Sequence, residues 1–179
     1  YFNFHGKVVS GYDKTQTALT DQLEKEGIKI TFEDASETKD KSPELIIFTP
    51  AIPKDHLQYN WYLENNYTVL KRAQILGLAA NSMFNISIAG SHGKTSTSSI
   101  TAHILKTANK SVAAFLGGIC INFNSNFIDG NEYAIAEADE FDRSFLQLEP
   151  NIALITSIDT DHLDIYGNLE AIEDSFQQF

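Results

Sequence analysis

The sequence is short of several things, and each shortage excludes something. It holds a single cysteine, Cys120. No internal disulfide can form, which fits a reducing, cytoplasmic setting. It lacks an uninterrupted apolar run of about 18 residues, the length that crosses a bilayer, so membrane insertion is not expected. The first residues show no basic-then-apolar leader pattern. There is no internal repeat and no sustained heptad pattern. Basic residues are scarce: 13 Lys and Arg face 24 Asp and Glu, for a formal net charge of −11. That balance argues against nucleic acid as a partner. An anionic ligand would need a local site built from backbone amides, a lysine or a metal ion.

Apolar residues, by contrast, are ample. They form 42% of the 179 residues, and charged residues 21%, so the chain can bury a core as one domain or two small ones. Tyr1–Gly6 reads as the last turn of a helix closed by glycine. Lys7–Gly11 and Ile28–Phe32 read as strands, with a helix over Thr17–Gly27 between them. Leu45–Phe48 is a continuous apolar run, the pattern of a strand buried on both faces. Pro50 and Pro53 then break regular structure. His56–Asn66 and Arg72–Ala80 have helical character and flank a strand at Tyr67–Leu70. From there the chain alternates again. Strands are expected at Ile86–Ala89, Ser111–Phe115, Glu132–Ala136 and Ile152–Ser157, with helices over Lys94–Thr107 and from Leu169. Strands alternating with helices predict an α/β fold with largely parallel sheets. Two such series meet between Ala80 and Asn85, which divides the chain into residues 1–80 and 81–179.

The most specific motif is Gly90-Ser91-His92-Gly93-Lys94-Thr95-Ser96, set between a buried strand and a helix. Glycines let the backbone curl so that amides converge on phosphate oxygens. A helix N-terminus adds its positive end. Lys94 supplies a charge for phosphate and the Thr95 hydroxyl a ligand for Mg²⁺. The loop is a shortened form of the usual phosphate loop, with Ile88 where a longer version has glycine. An ordinary strand-to-helix turn is the bland alternative, and the strand before and helix after favour phosphate.

Two acidic stations follow. The strand Ile135-Ala136 ends in Glu137-Ala138-Asp139-Glu140. Strand C-termini face the ligand crevice in parallel sheets, so Glu137 can meet the cation that Thr95 touches. Asp139, Glu140, Asp142 and Asp164 read as solvated loop and cap carboxylates. After the next strand, Asp161-His162-Leu163-Asp164 places a histidine just past a strand end. On its own residues, His162 reads as a surface histidine in an acidic turn.

Together these stations resemble the Mur ligases, the ATP-dependent amide-forming enzymes of peptidoglycan synthesis. Gly90–Thr95 resembles the family's phosphate loop. Glu137–Glu140 with Asp142 and Ser144-Phe145 resembles its acidic motif, and Asp161–Gly167 its aspartate-histidine motif. Ser10–Asp13 and Thr49–Ile52 look like its first-domain loops near a uridine nucleotide. The similarity runs over nearly the whole chain, in order and spacing.

The resemblance implies a Rossmann-like UDP-sugar domain followed by a P-loop-type central ATPase domain, both truncated. ATP and Mg²⁺ would be the cofactors. UDP-N-acetylmuramate and L-alanine would be the substrates, joined through an acyl phosphate. Lys94, Glu137 and His162 would be catalytic. Gly90, Ser91, His92, Gly93, Lys94, Thr95 and Ser96 would bind phosphate, and Thr95, Glu137 and His162 would hold metal. Asp13 and Thr49 would face the sugar nucleotide. The family's glycine-rich first loop and C-terminal domain lie outside this sequence, so the chain reads as an internal piece and is expected to be inactive alone. A ligase that attaches a recycled murein peptide, an unrelated P-loop NTPase and a non-catalytic nucleotide-binding module remain alternatives.

Overall fold

The computed structural model describes residues 1–35, 40, 42–159 and 166–179. It divides into two compact units, Tyr1–Arg72 and Ala73–Phe179.

The first unit is built from two strand–helix–strand passages. In the first, β1 (Ser10–Tyr12) pairs in parallel with β2 (Lys29–Thr31), and α1 (Ala18–Lys25) joins them. Thr17 starts α1 through a reciprocal cap with Thr20, so two amide groups at the helix start find acceptors. In the second, β3 (Ile46–Phe48) pairs in parallel with β4 (Val69–Lys71) around α2 (Leu57–Glu64). Asp34, remote in sequence, caps α2. Its carboxylate accepts from Leu57 N at 2.8 Å and Gln58 N at 3.0 Å. The Tyr62 hydroxyl on α2 donates to Asp40 O, and burial pushes its pKa up from the usual phenol value. The opening turn ends as expected, with Gly6 at φ 73° and Lys7 N donating to Phe2 O.

The second unit is a five-stranded sheet in the order β7-β6-β8-β5-β9. Its strands are β5 (Phe84–Ala89), β6 (Val112–Cys120), β7 (Ser125–Ile128), β8 (Tyr133–Glu137) and β9 (Ile152–Ile155). All neighbours are parallel except β6 and β7. The helices are α3 (Arg72–Asn81), α4 (Lys94–Thr107) and α5 (Leu169–Gln178), with a 3-10 segment at Phe141–Gln147.

Both faces of this sheet are covered, and alternation along the strands supplies both cores. One core gathers Ala89, Ala134, Ala136 and Ala138 beneath Phe145, Ile172 and Phe176. The small side chains let the 3-10 segment and α5 lie close, with Phe145 edge-on to Phe176 at 5.2 Å between ring centroids. The other core gathers Ile88, Val112, Ala114, Leu116 and Ile135 against Ala102 of α4. Below the strands, a polar network joins α3, β5 and the entrance to β9. Buried Asn85 donates its backbone N–H to Asn151 Oδ1 and its side-chain amide to Asn81 Oδ1, and its Oδ1 accepts from Ser87 Oγ.

Three expectations need correction. The first strand lies at Ser10–Tyr12 rather than Lys7–Gly11. The apolar run at Leu45–Phe48 is not buried on both faces, since β3 is only partly covered; within this stretch of sequence the residues of β9 are exposed as well. Among the described residues, β9 pairs with β5 and β3 with β4. Within these residues each has a strand neighbour on one side, which leaves its other side open. Finally, β6 extends to Cys120 and turns back into antiparallel β7, which the polar segment Ser125-Asn126 concealed.

Candidate functional site

The site in the second unit is set by strand register. β5 and β8 lie side by side with Ile88 opposite Glu137, and Ala138 N donates to Ile88 O at 2.9 Å. The chain leaving β5 and the acidic end of β8 therefore emerge together at the C-terminal edge of the sheet, where α/β folds bind ligands.

The loop after β5 is braced by the segment following β9. Ser91 N donates to Ser157 O at 2.9 Å, and His92 N to Ser157 Oγ at 3.2 Å. Asp159 N donates to Ser91 Oγ at 2.9 Å, and Thr156 Oγ1 donates to His92 O at 2.5 Å. Gly90 sits at φ 124°, and a Cβ there would come within 2.3 Å of Thr156 Oγ1. Only glycine fits that backbone and that gap. The His92–Asp159 pair, at 3.5 Å, is largely exposed on both sides and contributes little.

Gly93, at φ 84°, starts α4 without a side-chain cap. The first-turn amides of Lys94, Thr95 and Ser96 have no acceptor within the helix. They point out of the loop with the positive end of the helix dipole, an arrangement that receives anions. Ser91 and His92 stand in the same loop, but their amides are turned to Ser157.

Thr95 Oγ1 donates to Glu137 Oε1 at 2.8 Å. The other carboxylate oxygen, Oε2, accepts from Gly117 N at 2.7 Å. Gly117 lies on β6, and a Cβ on it would stand 2.6 Å from Glu137 Oε1. The Glu137 carboxylate is thus fixed between a hydroxyl from α4 and an amide from β6. The Gly117-Gly118 pair is part of the site, although the sequence reading ended its strand at Phe115.

Glu140 overturns its reading as a solvated cap. It is 3% exposed, and both its oxygens accept from Lys94 Nζ, at 3.0 and 2.8 Å. Lys94 Nζ also donates to Gly90 O at 2.7 Å. The Glu140 carbonyl accepts from the Tyr166 hydroxyl at 2.6 Å and from Arg143 N at 3.0 Å. Asp139 and Asp142 are exposed, and Asp139 Oδ1 accepts from Phe141 N at 3.1 Å. The Asp139 contact is that of a cap.

The donor set suits a hard cation. Thr95 Oγ1 and Glu137 Oε1 are oxygen donors 2.8 Å apart, close to the ~3 Å edge of an Mg²⁺ octahedron with bonds of about 2.1 Å. Among the described residues, no group of three or more His, Cys, Asp or Glu forms a metal cage. Mg²⁺ is commonly held by one or two carboxylates, with further positions left to water and phosphate. His162, Asp161 and Asp164 lie outside the described residues.

In the first unit, Asp13 and Thr49 follow the C-terminal ends of β1 and β3. Asp13 Oδ1 accepts from Thr15 N at 2.9 Å, a tight local turn. A cavity of about 910 Å³ runs between the β1 and β3 segments, lined by Tyr12, Phe48, His56 and Tyr59 among others. Asp13 and Thr49 are not among its lining residues. His56 is buried there, with Nδ1 3.2 Å from Tyr59 N as its acceptor.

Comparison with known proteins gives a consistent result. The family model described as "Mur ligase family, catalytic domain" matches residues 1–83, and "Mur ligase middle domain" matches residues 88–179. A UDP-N-acetylmuramate–L-alanine ligase of Flavobacterium psychrophilum is 53% identical over all of this chain and 41% of its own length. One from Porphyromonas gingivalis is 47% identical with the same coverage. Among solved structures, the UDP-N-acetylmuramate-alanine ligase of Thermotoga maritima superposes with a TM-score of 0.90 at 30% identity, over 98% of this chain and 41% of that one. The UDP-N-acetylmuramate:L-alanyl-γ-D-glutamyl-meso-diaminopimelate ligase of Neisseria meningitides gives 0.86 at 25% identity, over 98% and 60%. The chain therefore spans about two fifths of the length of the curated relatives it matches, 41% in the first case.

Proposed function

The chain belongs to the Mur ligase family, and from that premise we propose that its protein is an ATP-dependent ligase joining L-alanine to UDP-N-acetylmuramate in the cytoplasm. The observation that carries this reading is the meeting of Thr95 and Glu137 at 2.8 Å, beside Lys94 and the uncapped start of α4. We take residues 81–179 as the first part of a P-loop-type central ATPase domain, and 1–80 as a partial, Rossmann-like UDP-sugar domain.

In this reading a lactyl carboxylate oxygen attacks the γ-phosphorus of ATP and ADP leaves. The amine of L-alanine then attacks the acyl carbon. Inorganic phosphate leaves with the bridging oxygen, and the amine nitrogen loses its proton. Most of the catalysis is positioning and charge stabilisation. The amides of Lys94, Thr95 and Ser96 receive phosphate oxygens, with Gly90–Gly93 shaping the loop. Lys94 Nζ directs an N–H at the transferring group. Thr95 and Glu137 would hold Mg²⁺, with His162 assigned to a second ion. Bound there, the metal neutralises charge developing on the phosphates. Asp13 and Thr49, at strand C-termini in the first unit, are assigned to the uridine nucleotide.

The second reading, attachment of a recycled peptide to the same sugar nucleotide, draws on the 0.86 TM-score with the Neisseria ligase. The 53% identity to an alanine ligase favours the first. Phosphate release by the full-length protein, with UDP-N-acetylmuramate plus either L-alanine or the tripeptide, separates them. Release with L-alanine alone supports our reading, and release with the tripeptide alone overturns it.

A further inference from the structure

Lys94 and Glu140 are more than a lysine with a neighbour. An ammonium group has three N–H donors. Here they are matched by three acceptors: both Glu140 oxygens and Gly90 O. The Glu140 side chain is 4% exposed and that of Lys94 15%. A buried carboxylate stripped of its cation is strongly disfavoured, so the pair should persist when a ligand enters. The bond that can be released is the one to Gly90 O, on the loop itself.

The charge balance at the loop follows. Lys94 and Glu140 cancel. The partners the structure gives Glu137, the Thr95 hydroxyl and the Gly117 amide, are neutral, so its negative charge stands. The His92–Asp159 pair nearby is exposed, where water screens it. Among the described residues, the Glu137 charge therefore faces the amide dipoles at the start of α4 before any cation arrives.

We propose that Glu140 is a positioning counter-ion that cancels the Lys94 charge, so that the loop accepts a nucleotide only in complex with a divalent cation. Lys94 then acts as an aimed hydrogen-bond donor, and its charge does not by itself recruit phosphate. This rests on the nucleotide site proposed above and adds the source of its selectivity.

The test measures dissociation constants of a non-hydrolysable ATP analogue for the full-length protein, with MgCl₂ and with EDTA. The readout is the ratio of the metal-free to the Mg²⁺ constant. A loss of positioning weakens both constants and drops out of that ratio. Glu140→Gln should lower the ratio by roughly tenfold or more, because one negative charge a few ångströms from the phosphates is gone. Glu140→Asp, which keeps the charge, should leave it near the wild-type value. The double variant Lys94→Met with Glu140→Gln should also keep the wild-type ratio, since a cancelled pair and an absent pair have the same net charge. It guards against a single variant that fails to fold, because removing both members of a buried pair is tolerated better than removing one. A ratio in Glu140→Gln within about threefold of wild type, or one in the double variant that falls about tenfold, overturns the proposal. A wild-type protein that binds no analogue with Mg²⁺ overturns the nucleotide site itself, and this inference with it.

Discussion

Replacing Gly117 by alanine tests the site through a residue that contributes no side chain. The added Cβ would stand 2.6 Å from Glu137 Oε1 and 2.8 Å from both Cδ and Oε2. These are distances that real Cβ atoms do not adopt, so the carboxylate must swing away. It then gives up its bonds to Gly117 N at 2.7 Å and Thr95 Oγ1 at 2.8 Å. Hydrogen bonds to a charged group contribute about 1.5–3 kcal/mol each. Glu137 is half-buried, so water replaces much of that, and a net stability loss of about 1 kcal/mol is expected. The loss of function is larger, since displacing an active group by about 1 Å can cost on the order of a hundredfold in rate. Gly118→Ala is the internal control. Its Cβ would meet Thr95 Cγ2 at 3.4 Å, an ordinary contact. Steady-state kcat/KM for ATP and the Mg²⁺ concentration for half-maximal rate, measured on both full-length variants, decide the matter. Gly117→Ala activity within about threefold of wild type, or equal to that of Gly118→Ala, would refute the placement of Glu137.

Other consequences concern neighbours of the site and the cores beneath it. Lys94→Ala should abolish turnover by orders of magnitude. It should also destabilise the fold by about 3 kcal/mol, because Glu140 is left buried and unpaired. Adding Glu140→Gln should restore the melting temperature without restoring turnover, which thermal denaturation and phosphate release together report. Phe145→Ala removes a ring that stacks on Phe179 and meets Phe176 edge-on over the alanine-lined core, and should cost about 3–5 kcal/mol in denaturant unfolding. Asn85→Ala breaks the polar network at the far end of the strands, and should cost about 1–3 kcal/mol while leaving KM for ATP unchanged.

The parts of this site that a sequence reveals are those whose chemistry is local. The Gly90–Thr95 loop announces itself because glycine, lysine and threonine stand at fixed intervals between a strand and a helix. Glu137 is legible because it ends a short apolar strand. Glu140 is not, since nothing in Glu137-Ala138-Asp139-Glu140 tells which carboxylate the following 3-10 segment turns inward. Its burial depends on Lys94, 46 residues earlier. The role of Gly117 depends on β6 lying beside β8, a long-range pairing. The partial cover of β3 depends likewise on pairing: an apolar run reports composition, and the strands beside it among the described residues decide how much of it is covered. Asn85 shows the converse, a polar residue fully buried because its amide partners arrive from α3 and from the entrance to β9.

The most direct test of the central claim follows one oxygen atom. UDP-N-acetylmuramate labelled with ¹⁸O in its lactyl carboxylate is turned over by the full-length protein with ATP, Mg²⁺ and L-alanine, and the released phosphate is analysed by mass spectrometry. If the group held at Lys94, Thr95 and Glu137 is ATP transferring its phosphoryl to a carboxylate, the phosphate carries one label per turnover, and release falls to background in Glu137→Gln. Unlabelled phosphate from the wild-type protein would mean that water takes the phosphoryl group, and would contradict the ligase reading of this site.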